Sequence, residues 1–120
     1  MKALLDMGCS VGISTRALAA AFPSAERVVG GDLSAFFLAV AESRKVEGSR
    51  EQYVHVNAES TGMEGASYDL YSLAFVVHEL PQHATRTIFK EAFRLVRPGG
   101  TSVLTDNNPR SEGIQSTLPA

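Results

Sequence analysis

The sequence lacks the features that mark several large classes of protein. Its one cysteine, Cys9, excludes an internal disulfide framework, and no apolar run approaches the roughly 20 residues of a membrane-spanning helix. It has 11 basic and 13 acidic residues, a formal net charge of -2 and no run of like charges, which gives no electrostatic footprint for nucleic acid. We therefore predict a reducing compartment, no nucleic-acid partner, no membrane span, and a small molecule as the partner.

The first residues contain too short an apolar stretch for a secretory signal peptide, because Asp6 and Gly8 interrupt it after about four residues. The sequence thus predicts no export and a cytoplasmic location. An organelle such as a plastid is the alternative if a transit peptide has been lost.

The composition is sufficient for one packed domain. Hydrophobic residues make up 44% of the 120 residues and charged residues 20%, which supplies a core without favouring disorder. The segment after Asp106 is polar and contains two prolines, so no further packed element is predicted there. We expect a domain over residues 1–109 and a polar tail, as loop or disordered chain, over residues 110–120.

Short apolar segments alternate along the chain with segments of helical periodicity. The nearly continuous apolar run at 68–77 is typical of a strand covered on both faces, and the proline and glycines at 98–100 are typical of a helix end. Such alternation predicts an α/β fold with a parallel sheet and helices on both faces, whose ligands bind at the carboxyl ends of the strands. Strands are predicted at 2–7, 27–32, 52–56, 68–77 and 101–105, and helices at 13–22, after an N-cap at Ser34, and at 82–96.

A glycine-containing loop follows the first predicted strand. In the string DMGCSVG, Gly8 and Gly12 allow the backbone to approach a ligand closely, and the next helix offers free N–H groups at its N-terminus. A tight strand-to-helix turn without a ligand is the alternative. A nicotinamide dinucleotide fingerprint would need glycine at positions 10 and 13, where the chain has Ser10 and Ile13.

The loops after the second and third predicted strands also contain candidate ligand contacts. Asp32 lies twenty positions after Gly12, at a strand end where a carboxylate accepts hydrogen bonds from ribose hydroxyls; an ordinary acid at a helix start is the alternative. Asn57, Ala58 and Glu59 follow the third strand, where they either hydrogen-bond an adenine edge or form a simple turn. Together with the glycine loop, Asp32 favours a ribose-containing ligand.

These loops belong to an ordered series of motifs: DMGCSVG, GGDLS, NAE, YDLYSLAFVVHELP and EAFRLVRPGG. In order and spacing the series resembles the motifs of class I S-adenosylmethionine-dependent methyltransferases. Its last two motifs resemble those of the methyltransferase type 11 group, which includes plant-like proteins. The resemblance covers residues 3–109. It implies a Rossmann-like three-layer sandwich with a mainly parallel sheet of about five strands in the order 3-2-1-4-5.

The family that the chain resembles has additional elements. Its sheet continues into an antiparallel hairpin beyond strand five, and a helical N-terminal extension often holds the substrate; neither is predicted here. Strand five would then be an open edge with unpaired backbone groups, for which a second copy of the chain, another partner or poor stability is expected. A truncated, noncatalytic module that binds the cofactor or a partner is therefore an alternative to an active methyltransferase.

The resemblance implies roles for individual residues when it is carried over position by position. It assigns the loop after strand one to the amino-acid end of S-adenosylmethionine, the acid after strand two to its ribose, and the loop after strand three to its adenine. The family usually has glycine where this chain has Ser10. The implied cofactor-binding residues are Asp6, Gly8, Cys9, Ser10, Gly12, Asp32, Leu33, Ala58, Glu59 and Ala74.

The implied reaction is in-line attack of a small-molecule acceptor on the sulfonium methyl group, which depends on proximity and alignment. His78, after strand four, is the candidate general base, with a structural role as the alternative. Candidate substrate-side residues, which otherwise form helix or turn, are Glu79, Asp106, Asn107 and Asn108. No cluster of histidine, cysteine and acid has metal-ligand spacing, so no metal site is predicted.

A competing interpretation rests on residues 8–12, GCSVG, which match the G-x-S-x-G nucleophile elbow of serine hydrolases between a strand and a helix. That elbow follows several strands in such enzymes, whereas here it follows the first. No acid and late histidine complete a triad in order. The sequence therefore favours a methyltransferase and leaves a serine hydrolase as a lesser alternative.

Overall fold

The computed structural model describes residues 2–75, 82–106 and 115–119. In this part of the chain the strands form one six-stranded sheet in the order β3-β2-β1-β4-β5-β6, with the first five parallel and β6 antiparallel. The predicted α/β class and the strand order 3-2-1-4-5 are thereby confirmed. The elements are β1 (Ala3–Met7), α1 (Ile13–Ala21), β2 (Arg27–Asp32), α2 (Ala35–Ser43), β3 (Glu51–His55), β4 (Tyr68–Phe75), α3 (Gln82–Leu95), β5 (Val96–Asp106) and β6 (Gln115–Pro119).

The central strand β1 is buried on both faces, as a parallel strand between two helical layers must be. Leu5 and Met7 belong to a core cluster that includes residues of α3, whereas Leu4 belongs to a second cluster that packs against α1. Helices α1 and α2 contact β2 and β3, and α3 contacts β4 and β5. The result is a three-layer sandwich, with α3 on one face of the sheet and α1 on the other.

The end of the chain differs from the sequence prediction. The segment Gln115–Pro119, expected to be loop or disordered tail, forms β6 and pairs antiparallel with β5, from Thr101 opposite Pro119 to Thr105 opposite Gln115. An edge strand is held by backbone hydrogen bonds, so a polar segment can form one without contributing to the core. Because β6 covers β5, the predicted open edge of strand five was wrong, and the reason for a partner there is removed.

The junction between α3 and β5 also differs from the prediction. The helix ends at Leu95 and the strand begins at Val96, so the proline and glycines at 98–100 lie inside the strand rather than before it. Tyr68 of β4 pairs with Val96 and Leu70 with Thr101, which leaves residues 97–100 as an irregularity in the pairing. Glycine suits this position because Gly99 has φ 84°, in the left-handed region.

The connection from β3 to β4, residues 56–67, contains no helix, and a carboxylate of α3 is among the groups that hold it. Glu91 accepts hydrogen bonds from the backbone N–H and the hydroxyl of Thr61, at 2.9 and 2.5 Å, and from Arg94 at 2.7 Å. Arg94 also donates to the carbonyl of Met63 at 2.7 Å. These bonds, those from Arg94 foremost, lower the pKa of Glu91 to about 2.

Replacing Glu91 by alanine is expected to lower the free energy of unfolding by about 2 kcal/mol at pH 7, because four hydrogen bonds to a largely buried carboxylate are lost. The loss should shrink as the pH falls from about 5 to about 2. Over this interval the carboxyl of the unfolded chain takes up a proton, whereas the folded chain keeps its charge to about pH 2.

Urea unfolding followed by circular dichroism at pH 7 and pH 3 measures both effects. Glu47→Ala, at an exposed acid after α2, is the matched control and should change the stability little at either pH. An equal loss for Glu91→Ala at the two pH values would contradict the role given to the carboxylate charge.

Candidate functional site

A cavity of about 220 Å³ lies at the carboxyl ends of the parallel strands, where ligands of such sheets bind. The ends of β1, β2 and β4, the segment after β3 and one residue of α3 form its wall. Five residues that the sequence assigns to a ligand line this one cavity: Gly8, Asp32, Leu33, Ala58 and Glu59. The other lining residues are Met7, Val56, Asn57, Leu73 and Ile88.

The loop between β1 and α1 is fixed to the end of β2 by its backbone. The N–H groups of Gly8 and Cys9 both donate to the carbonyl of Gly31, at 2.7 and 3.0 Å. Three residues of the loop have positive φ: Gly8 at 74°, Ser10 at 53° and Gly12 at 89°. This conformation costs a non-glycine residue about 1 kcal/mol, so the backbone of Ser10 is strained.

Asp32 connects two turns of the site through its carboxylate. Its Oδ2 accepts a hydrogen bond from the N–H of Ser10 at 2.8 Å, and its Oδ1 accepts one from the N–H of Ser34 at 2.9 Å. The helix-start role that the sequence left open is therefore present, since Ser34 in turn caps α2 by accepting from the N–H of Phe37. Each carboxylate oxygen has a second lone pair, so Asp32 can still accept hydrogen bonds from a ligand at the cavity wall.

Asp6 lies behind the loop, in the interior, and does not line the cavity. Its Oδ2 accepts hydrogen bonds from the hydroxyls of Ser14 and Thr15, at 2.6 and 2.7 Å, and thereby orients the first turn of α1. Burial raises the pKa of Asp6, and the two hydroxyl bonds oppose that rise. Burial also raises the pKa of the neighbouring Cys9 thiol to about 12, so this cysteine stays protonated and is not a nucleophile at neutral pH.

The segment after β3 combines the two roles that the sequence allowed. The side chain of Asn57 accepts a hydrogen bond from the N–H of Glu59 at 2.9 Å, which closes a turn, while Ala58 and Glu59 themselves line the cavity. The N–H of Val56 donates to the carbonyl of Asp32 at 3.0 Å. This segment is thus attached to the end of β2, like the loop after β1.

Sequence reasoning missed the apolar part of the cavity wall. Met7, Val56, Leu73 and Ile88 belong to the core cluster that packs against α3, and nothing in their residue type separates them from other core positions. Position is the only available signal: Met7 and Leu73 are paired neighbours near the carboxyl ends of β1 and β4. These apolar groups make the cavity suitable for one face of a flat, weakly polar ring.

The residues predicted beyond strand four are only partly described. Ala74 lies in β4 opposite Thr105, and Asp106 ends β5 opposite Phe75, so both lie at the carboxyl edge of the sheet. His78, Glu79, Asn107 and Asn108 lie outside the described residues. The candidate general base and most of the predicted substrate side therefore stay predictions.

The histidines that are described do not form a catalytic or metal-binding group with the loop. His55 Nε2 donates to the carbonyl of Leu33 at 2.8 Å, and His83 is exposed on α3. Within the described ranges no group of three histidine, cysteine or acidic residues is placed to hold a metal ion, and no histidine hydrogen-bonds Ser10. The hydrolase interpretation gains no support from this geometry.

Exposed apolar side chains occur at or just before the starts of α1 and α2. Ile13, Leu33, Phe36 and Phe37 are between 41% and 72% exposed, and the rings of Phe36 and Phe37 are 6.1 Å apart. We call these four residues the apolar rim. Leu33 belongs both to the rim and to the cavity wall.

No helix in the described part of the chain is long and apolar enough to cross a membrane.

Solved structures of similar fold include methyltransferases. The chain is 28% identical to phosphoethanolamine N-methyltransferase 2 of Haemonchus contortus, solved with phosphomonomethylethanolamine and S-adenosylhomocysteine; the TM-score is 0.75, with 88% of this chain and 24% of that chain covered. A Pyrococcus horikoshii protein has a TM-score of 0.76 at 23% identity, covering 87% of this chain and 48% of that one, and this likeness supports the fold alone.

Curated relatives of the chain include proteins named for the methylation of quinones. The chain is 30% identical over 112 residues to demethylmenaquinone methyltransferase of Bacillus licheniformis, covering 92% of this chain and 47% of that protein. It is 36% identical over 101 residues to the ubiquinone/menaquinone biosynthesis C-methyltransferase of Bradyrhizobium diazoefficiens, covering 81% and 39%. The chain thus spans less than half the length of these relatives. Both are bacterial, so they give no support to a plastid, and a cytoplasmic location stays a prediction.

The family comparison agrees with the resemblance found in the sequence. Residues 4–100 match the methyltransferase domain family. The matched part is well over half of the chain and includes every loop of the cavity wall. The membership of the methyltransferases that the sequence resemblance indicated is therefore confirmed. This chain belongs to the methyltransferase domain family.

Proposed function

We propose that the chain binds S-adenosylmethionine in the cavity at the carboxyl edge and transfers its methyl group to a small-molecule acceptor. The observation that carries this proposal is the convergence of Gly8, Asp32, Leu33, Ala58 and Glu59 on one cavity in a chain of the methyltransferase domain family. A related structure at 28% identity, from Haemonchus contortus, was solved with S-adenosylmethionine, which supports the choice of cofactor.

The residues of the cavity fit the adenosine part of this cofactor. The carboxylate of Asp32 has free lone pairs for ribose hydroxyls, and the side chains of Leu33, Val56 and Ile88 are apolar surfaces for an adenine ring. The cavity of about 220 Å³ is smaller than the roughly 300–1,000 Å³ of typical small-molecule pockets. We therefore assign it to the adenosine, and assign the amino-acid end to the loop after β1.

The loop after β1 fits an anionic group. Gly8 is exposed with positive φ, so no side chain hinders the approach of a ligand to its backbone. Helix α1 begins just after Gly12 and presents its first N–H groups toward the carboxyl edge of the sheet, where they favour a carboxylate. Asp6 supports this loop from the interior through Ser14 and Thr15 rather than by touching the ligand.

The chemistry requires alignment more than a reactive side chain. S-adenosylmethionine supplies an electrophilic methyl group on a sulfonium, which a nucleophilic acceptor atom attacks in line. The chain contributes a fixed binding surface, because the three loops of the cavity are hydrogen-bonded to the end of β2. His78 stays the candidate residue for removing a proton from the acceptor, as the sequence predicts.

The apolar rim favours an acceptor with an apolar surface. Leu33 connects the rim to the cavity, and no charged residue occurs between Leu33 and Ala41. Exposed apolar patches beside a pocket mark binding surfaces more often than isolated apolar residues do. Two curated relatives are named for methylation of quinones, whose rings and hydrocarbon chains have this character.

A noncatalytic cofactor-binding module is the second candidate. The chain spans 47% and 39% of the length of two curated relatives, and its predicted cofactor contacts all lie within residues 4–100, the part that matches the family. The two candidates differ in one measurable product. An active chain releases S-adenosylhomocysteine when it is incubated with S-adenosylmethionine and an acceptor, whereas a noncatalytic module binds both cofactor forms without turnover.

Calorimetric titration with S-adenosylhomocysteine tests the cofactor site. We expect micromolar binding by the unaltered chain and at least tenfold weaker binding by Asp32→Ala, because a charge-assisted hydrogen bond to the ribose contributes about 1.5–3 kcal/mol. Since Asp32 also holds Ser10 and Ser34, Asp32→Asn is measured in parallel, and thermal unfolding confirms that each variant is folded.

Glu26→Ala is the matched control for this titration. Glu26 is an exposed acid just before β2, at the opposite edge of the sheet from Asp32, and its replacement should leave the affinity unchanged. If the folded, unaltered chain does not bind S-adenosylhomocysteine at millimolar concentration, the proposed function is wrong.

The apolar rim is tested with a 1,4-naphthoquinone that carries a short hydrocarbon chain, titrated in the presence of S-adenosylhomocysteine. Phe36→Ser should weaken binding about fivefold, since it removes about 1 kcal/mol of apolar contact. The affinity for S-adenosylhomocysteine should not change. Phe93→Ser, at an exposed phenylalanine of α3 outside the rim, is the control, and an equal loss in this variant would contradict the assignment.

A further inference from the structure

Tyr53 fills the space left by two glycines of neighbouring segments. It lies in β3 directly opposite Gly30 of β2, and its ring passes over that glycine: a Cβ added at Gly30 would lie 2.8 Å from Tyr53 Cδ1. The far end of the ring reaches the loop after β1, where a Cβ added at Gly12 would lie 3.0 Å from Tyr53 Cζ and still closer to the hydroxyl. The ring therefore spans from the sheet to the cofactor loop.

The contact with Tyr53 explains why residue 12 is a glycine, and the sequence did not suggest this explanation. The sequence assigned Gly12 to the close approach of a ligand, but in the structure the missing side chain admits Tyr53 from the interior side. Gly12 is also the residue at which the loop becomes helix: its N–H donates to the carbonyl of Cys9, and its carbonyl accepts from the N–H of Arg16. A side chain that packs against Gly12 therefore restricts the conformation of the turn that ends the loop.

The surroundings of the ring are polar and buried. The Tyr53 hydroxyl, Nη1 of Arg16 and Oε1 of Glu51 are each shielded from solvent and have no hydrogen-bond partner within the described chain, and Glu51 is only 4% exposed. Burial raises the pKa of Tyr53, and Glu51 adds to the rise while Arg16 opposes it. The hydroxyl is therefore protonated at neutral pH and is a hydrogen-bond donor.

We propose that Tyr53 is a positioning residue for the cofactor loop: its ring supports the turn at Gly12 from the interior side and so fixes residues 8–12 in the conformation that receives S-adenosylmethionine. The proposal rests on the proposed function for the nature of the ligand, but not for the contact itself. Simple core packing by Tyr53 would stabilise the fold without affecting the shape of the loop.

Three variants at Tyr53 separate the contributions of its ring and hydroxyl. Titration with S-adenosylhomocysteine should give at least tenfold weaker binding for Tyr53→Ala and an intermediate loss for Tyr53→Leu, whereas Tyr53→Phe, which keeps the ring, should stay within about threefold of the unaltered chain. Thermal unfolding identifies the variants that are folded at the titration temperature. Folded Tyr53→Ala and Tyr53→Leu with unchanged affinity would overturn the proposal.

A double-mutant cycle supplies a readout that core packing would not move. Gly12→Ala should weaken binding of S-adenosylhomocysteine at least tenfold in the otherwise unaltered chain. The loss should be smaller in the Tyr53→Ala background, where the nearest obstruction is removed and only Ala41 Cβ, at 3.1 Å from the added methyl group, remains. The strain of alanine at positive φ is common to both backgrounds and cancels. Losses that simply add would overturn the proposal.

Gly48→Ala is the matched control for this cycle. Gly48 has φ 84°, similar to the 89° of Gly12, but a Cβ there would have no neighbour within 4 Å. This variant should carry the strain of positive φ without any change in affinity in either background. If the unaltered chain does not bind S-adenosylhomocysteine, the proposed function fails and the positioning role fails with it; binding without coupling between Gly12 and Tyr53 overturns the positioning role alone.

Discussion

The end of β2 holds the site together. The carbonyl of Gly31 accepts two N–H groups of the loop after β1, and the carbonyl of Asp32 accepts the N–H of Val56 in the segment after β3. The carboxylate of Asp32 adds one bond to the loop after β1 and one to the turn that starts α2. Three connections that are distant in sequence thus share two consecutive residues, and the shape of the cavity depends on the position of this one strand end.

The position of that strand end depends in turn on two-sided burial of the sheet. Strands β1 and β2 lie in the interior of the sheet, with α1 on one face and α3 on the other, and their apolar side chains are buried: Ala3, Leu4, Leu5, Met7, Val28 and Val29. Glycine replaces the apolar residue at Gly30 and Gly31, where Tyr53 and Val56 approach β2 from its two faces. The strand therefore provides both the core and the space into which the site residues pack.

Sequence reasoning predicted the parts of this arrangement that have a local signature. Periodicity located the helices, and the glycines and acids at strand ends located three loops that the structure joins in one cavity. The bonds of Asp32 to Ser10 and Ser34 were not predictable, because a carboxylate at a strand end has the same sequence signature whether it binds a ligand or a backbone N–H. Tyr53 was missed for a related reason: an aromatic residue in a strand looks like core, and its reach to Gly12 depends on the tertiary contact.

The strand β6 shows a different limit of the sequence. Its residues carry no apolar pattern, so composition predicted a tail, yet five residues of β5 pair with it. Pairing of this kind depends on the edge that is available rather than on the side chains of the segment that pairs. Sequence patterns therefore report burial well and backbone pairing poorly, and the edge of a sheet is where the difference is largest.

The Asp32 carboxylate accepts hydrogen bonds from two backbone N–H groups, and this has a consequence for ligand affinity. A carboxylate held by two backbone N–H groups has already lost most of its rotational freedom before a ligand arrives, so little further ordering is needed at binding. The same bonds fix Ser10 in a strained conformation, whose cost is met during folding rather than during binding. The bonds that order this part of the cavity wall all lie within β1, β2, β3 and the connections that follow these strands, so the wall is ordered by the strands that form it.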